Sequence, residues 1–107
     1  MTEASGRSVL ILGASGGIGR ATAEALSSDG FRVALHASSH PERAEALAEE
    51  LRSKGADAWT VVFDAADPAA SRSAIEADIE HHGAYWGIVH SAGITRDAAF
   101  PGMTDSD

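Results

Sequence analysis

Four short apolar runs set apart by stretches with helical spacing constrain this chain more than any other feature. Val9-Leu10-Ile11-Leu12 has no polar position at all, as expected of a strand covered on both faces rather than one. Phe31–His36, Trp59–Phe63 and Tyr85–Val89 repeat the theme, with Tyr85 inside the fourth run. Between them the period changes. Apolar or small residues at 18, 21, 22, 25 and 26 predict one face of a first helix, stopped by Gly30. Ala44, Leu47, Ala48 and Leu51 predict a second, opened by a Ser39-x-x-Glu42 capping box with Pro41 in its first turn and closed by Gly55. Asp67-Pro68 opens a third, with Ile75 and Ile79 facing inward and Gly83 as the stop. The order β-α-β-α-β-α-β with short connections predicts an α/β fold. It is a doubly wound parallel sheet with strand order 3-2-1-4 and helices on both faces.

Composition narrows the chemistry. The 107 residues contain no cysteine, which removes disulfides, thiolate metal sites and a cysteine nucleophile. Net charge is −8 and Lys54 is the single lysine, so neither nucleic acid nor an anionic membrane is an expected partner. No apolar run approaches the length of a membrane span and residues 1–7 lack a signal-type core, so the expected location is the cytoplasm. An anionic ligand of this acidic chain must therefore be held by backbone dipoles.

The stretch Leu10-Ile-Leu-Gly-Ala-Ser-Gly-Gly-Ile-Gly-Arg-Ala21 offers such dipoles. Gly13, Gly17 and Gly19 stand between the first strand and the first helix, where free amides and the positive end of a helix dipole meet. Without Cβ atoms, Gly13 and Gly17 let a pyrophosphate approach, and Gly19 lets helix and strand pack closely. The spacing is G-x-x-x-G-x-G. It differs from the G-x-G-x-x-G of the commonest dinucleotide site and from a phosphate-binding loop ending in Gly-Lys-Ser/Thr.

An NAD site places an acidic residue at the end of the second strand, to accept from the ribose 2′-hydroxyl. Here that region reads His36-Ala37-Ser38-Ser39-His40. Serine hydroxyls and imidazoles can donate to a 2′-phosphate, so NADP(H) is the expected cofactor, although Gly16 occupies a position where a cation would have helped. Ser38 and Ser39 can also serve simply as caps of the second helix. His81-His82 reads as a favourable interaction with the third helix's dipole rather than a metal site. Glu42, Glu45, Glu49 and Glu50 read as a solvated helix face.

With Asp64-Ala65 after the third run and Ser91-Ala92-Gly93-Ile94-Thr95-Arg96-Asp97 after the fourth, the chain resembles the N-terminal part of a short-chain dehydrogenase/reductase. Within that family it is most similar to the 3-oxoacyl-acyl carrier protein reductases, from about Val9 to Asp107. The resemblance implies a Rossmann-type sheet, here incomplete, with residues 1–107 as the front of a single NADP(H)-binding domain. It implies that Gly13, Ser15, Gly17, Ile18 and Gly19 line the pyrophosphate. It further implies that Asp64 accepts from the adenine amino group, that the Ala65 amide faces the ring, and that Ala92 and Gly93 pass the adenosine ribose. Gly16, Ser38, Ser39 and Ser91 complete the expected cofactor-binding set. Two departures stand out. Leu12 replaces the usual threonine before the first glycine, and Ser91 replaces the usual asparagine of Asn-Ala-Gly.

The family reduces ketones with a tyrosine, a lysine four residues later and an upstream serine. The only tyrosine here is Tyr85, and the residue four later is Val89. No catalytic residue is therefore expected in this stretch. The expected parent is an NADPH-dependent reductase of 3-oxoacyl thioesters, carried on acyl carrier protein or CoA, that forms a homo-oligomer when complete. The competing expectation is a catalytically inactive, truncated nucleotide-binding or partner-binding module. Thr104-x-x-Asp107 looks like a cap for a helix yet to come, as expected if the chain is the front of a longer one.

Overall fold

A computed structural model describes residues 6–14, 17–38 and 40–90. In chain order the elements are β1 (Ser8–Leu12), α1 (Gly17–Ser28), β2 (Arg32–Ala37), α2 (Glu42–Ser53), β3 (Ala58–Val62), α3 (Pro68–His82) and β4 (Gly87–His90). The strands form one parallel sheet in the order β3-β2-β1-β4, as the alternation of elements predicts. Leu10 lies level with Ala34 on one side and Ile88 on the other, so the first apolar run occupies an interior position. That explains its lack of a polar face. Among the described residues no helix is long and apolar enough to cross a membrane.

Alternation along the strands divides the core in two. Val9, Ile11, Val33, Leu35 and Ala37 face α1 and α2, where Ala23, Ala44, Leu47, Ala48 and Leu51 meet them. Leu10, Ala34, Trp59, Val61 and Phe63 face the opposite way, toward Ala74 and Ile75 of α3. Helices therefore cover both faces.

Local details differ from expectation in three places. The buried face of α1 is Gly19 and Ala23 with Leu26 half-buried beside them, while Ile18, Ala21 and Ala25 are exposed. The expected stripe is thus rotated by about one residue (~100° on a helical wheel), because a glycine pressed against backbone counts as a packing position although it carries no side chain. At α2 the N-cap is Pro41, which makes no side-chain cap, and Glu45 N–H bonds its carbonyl; Ser39 of the expected capping box lies outside the described residues. Proline fixes a helical φ of −75° there, and the helix starts at Glu42. Finally, β4 begins at Gly87, and Tyr85 precedes it. The expected start of α3 is observed: the Asp67 carboxylate accepts from Ala70 N–H, with Pro68 in the first turn.

Candidate functional site at the carboxyl edge of the sheet

The β1–α1 turn is made of backbone. Gly13 has φ of 76°, a left-handed value that a side chain disfavours. Its neighbour Ala14 is fully buried and donates its amide to the His36 carbonyl at 3.4 Å. Gly19 is sterically required. A Cβ there would lie 2.4 Å from the Gly13 carbonyl oxygen and 2.7 Å from Ala14 Cα. Among the described residues a Cβ on Gly17 would meet no atom within 4 Å. The two glycines are thus used differently: one admits the chain's own backbone, and the other faces open space at the start of a 12-residue helix. Ile18, 69% exposed, stands beside that space.

At the end of β2, Ser38 and His40 are exposed, and Arg43 in the first turn of α2 is exposed as well. His36 is not available to a ligand in the expected way. It is buried, its Nδ1 accepts from Gly13 N–H at 3.3 Å, and its Nε2 lies 2.9 Å from the Phe63 carbonyl. At the end of β3, Asp64 uses one carboxylate oxygen to accept from Ala66 N–H at 2.9 Å, and its main-chain carbonyl accepts from Asp67 N–H and the Ser71 hydroxyl. Among the described residues the other carboxylate oxygen has no hydrogen-bond partner; Asp64 and Ala65 are both exposed.

The sheet thus brings Gly13, Gly17, Ile18, Gly19, Ser38, Asp64 and Ala65 to the carboxyl ends of three adjacent strands. Ser15, Gly16, Ser39, Ser91, Ala92, Gly93, the Arg96-Asp97 pair and the Thr104-x-x-Asp107 cap lie outside the described residues. Sequence reasoning overlooked the part His36 plays inside this edge. A histidine next to the end of β2, following the apolar Val33-Ala34-Leu35 and level with Val61, was the available signal.

The opposite edge carries the chain's only phenol, and it is not an activated one. Tyr85 donates its hydroxyl to Asp78, a carboxylate that also accepts from Trp59 Nε1–H and pairs with His82 Nδ1, both at 2.8 Å. Burial, followed by the bond and negative charge of Asp78, raises the Tyr85 pKa far above the ordinary tyrosine value. The expected partner of His82 was a helix dipole. The observed ones are Asp78 and the face of Trp59, stacked at 3.8 Å. On α2, Glu42, Glu45 and Glu49 are exposed as expected, whereas Glu50 pairs with Arg20 and Lys54.

The family model for short chain dehydrogenases matches residues 7–107. A 3-oxoacyl-[acyl-carrier-protein] reductase from Aggregatibacter actinomycetemcomitans is 44% identical over 99 residues, covering 92% of this chain and 41% of the relative. Among solved structures, a metagenomic short-chain oxidoreductase in complex with NADP superposes with a TM-score of 0.79 at 31% identity, over 87% of this chain and 42% of that one. A gluconate 5-dehydrogenase from Burkholderia cenocepacia, in complex with NADP and tartrate, gives 0.77 at 36% identity, over 88% of this chain and 36% of that one. The chain therefore spans about two-fifths of the length of these relatives. On its sheet order, its glycine turn and these matches, it belongs to the short-chain dehydrogenase/reductase family, and within that family it is similar to the 3-oxoacyl-acyl carrier protein reductases.

Proposed function

We propose that this chain is the NADP(H)-binding part of a cytoplasmic ketoreductase that reduces 3-oxoacyl thioesters, on acyl carrier protein or CoA, to 3-hydroxyacyl thioesters. The observation that carries the reading is the open side of Gly17. The turn keeps glycine where no atom of the described residues needs the room, at the positive end of a helix. Gly13 shapes the turn with its own amide on His36, and the amides from Ser15 and Gly16 through Gly17, Ile18 and Gly19 hold the pyrophosphate without any lysine. The free carboxylate oxygen of Asp64 accepts from the adenine amino group, beside the Ala65 amide. Ser91, Ala92 and Gly93 line the ribose.

The residues after β2 favour the phosphorylated cofactor. There is no carboxylate from His36 through His40 to repel a 2′-phosphate, and with His36 engaged internally the donors are Ser38, Ser39 and His40. Two structural neighbours are complexes with NADP, which supports the same choice.

When bound, the nicotinamide supplies the hydride; the contribution of these residues is to bind and orient. The proton must come from elsewhere, because Tyr85 lies at the opposite edge with its phenol held neutral by Asp78. The 107 residues alone are accordingly inactive. That same observation favours a second reading, a nucleotide-binding or partner-binding module without catalysis.

Joining residues 1–107 to the remainder of the Aggregatibacter reductase separates the two. The chimera is expected to oxidise NADPH with acetoacetyl-CoA, and to bind NADPH at least about tenfold more tightly than NADH, a difference of about 1.4 kcal/mol. Binding without turnover favours the module. Equal affinity for NADH overturns the cofactor assignment.

A further inference from the structure

We infer that His36 is a positioning residue that ties the β1–α1 turn to the β3–α3 turn, working as the neutral imidazole with its proton on Nε2. For its ligand-binding consequence the inference rests on the cofactor reading above; the tie itself does not.

The tautomer is dictated by the partners. Gly13 N–H can only donate, so Nδ1, 3.3 Å away, must present a lone pair. The Phe63 carbonyl can only accept, so Nε2, 2.9 Å away, must carry the hydrogen. Each contact demands the same form of the ring. The other neutral tautomer sets N–H against N–H at Gly13 and a lone pair against the carbonyl oxygen of Phe63, and a doubly protonated ring loses the Gly13 contact.

The surroundings hold the ring in place. His36 is 5% exposed, and its ring lies against Phe63 with centroids 4.2 Å apart. The neighbouring main chain runs the same way, with Ala14 N–H donating to the His36 carbonyl and Phe63 N–H to the Ala37 carbonyl at 3.0 Å. One side chain thus spans three strand ends. It begins at the glycine whose φ shapes the phosphate turn and ends at the residue preceding Asp64. Backbone amides aimed at an anion act only while held in place, so a strut behind them affects affinity without touching the ligand.

Two measurements test this. In the unliganded chain, nitrogen-15 NMR of histidine should show the Nε2–H tautomer for His36, with scalar coupling from the Gly13 amide to Nδ1. The Nδ1–H tautomer overturns the inference. In NADPH titrations of the chimera at matched folded fraction, His36→Phe keeps the aromatic packing but neither hydrogen bond, and should weaken binding about tenfold. His36→Asn restores an acceptor near the Nδ1 position and should recover most of that loss. A folded His36→Phe that binds as tightly as the parent overturns the inference. If the parent chain shows the tautomer and coupling but binds no NADPH, the strut stands and the cofactor reading fails.

Discussion

The two edges of this sheet are built on opposite plans. At the amino edge, side chains fasten to one another: Asp78 takes hydrogen bonds from Trp59 and Tyr85 and pairs with His82. Arg32 lies over the Trp59 ring, pairs with Asp57 at 2.9 Å and donates to the His82 carbonyl. At the carboxyl edge the amides and small residues of the glycine turn dominate, and the buried side-chain link is His36. The contrast separates two duties. Long side chains spend their polar groups on each other and leave little for a visitor. A turn of glycines has few side chains to brace it and needs its rigidity supplied from behind, here by His36 on the Gly13 amide.

Asp78→Ala tests that division with the largest expected effect. It removes an acceptor shared by three donors at a site only 8% exposed, and should destabilise the fold by about 3 kcal/mol in urea unfolding. NADPH affinity per folded molecule should not move. If it falls substantially, the edges are not independent.

The two glycines sharpen the comparison within the carboxyl edge. Gly19→Ala forces a methyl group against the Gly13 carbonyl and should cost about 1–3 kcal/mol of stability together with NADPH binding. Gly17→Ala meets no atom among the described residues, so stability should hold or rise by up to about 1 kcal/mol while NADPH binding falls. Unchanged binding in folded Gly17→Ala would mean that the open side serves no ligand.

Tyr85→Phe is the smallest. It should cost about 1 kcal/mol at neutral pH, the worth of one hydrogen bond to Asp78. Its clearer mark is in alkali. The folded Tyr85 pKa is raised, so its stabilisation is whole below the unfolded value of about 10 and is lost as pH climbs beyond it. Unfolding measured from neutral to alkaline pH should show that decline in the parent, and a shallower one in Tyr85→Phe.

Much of this organisation is legible in the sequence, for identifiable reasons. Parallel strands buried on both faces have no polar alternation to confuse the eye, so Val9–Leu12 reveals a central strand directly. The stripe of α2 matches Ala44, Leu47, Ala48 and Leu51 because ordinary side chains fill that contact. In α1 the contact is made by Gly19, which hydropathy patterns pass over, and the expected face turns away from the observed one. The turn at Gly13–Gly19 is legible because its glycines cluster between a strand and a helix, where ordinary side chains would be expected. The Asp78 cluster is not, since Trp59, Asp78 and Tyr85 each look commonplace in the chain and become partners only when α3 folds back over β3. His36 lies between these cases: its position at a strand end is visible, but both its partners are main-chain atoms from distant segments.

The strand order 3-2-1-4 also fixes a sequence of events during synthesis. As the polypeptide leaves the ribosome, β2 and then β3 add outward from one flank of β1, and the opposite flank is not closed until Gly87–His90 emerge. The most apolar of the described strands therefore gains its second neighbour only after β2 and β3 have emerged, and until then one side of it is a naked hydrogen-bonding rim.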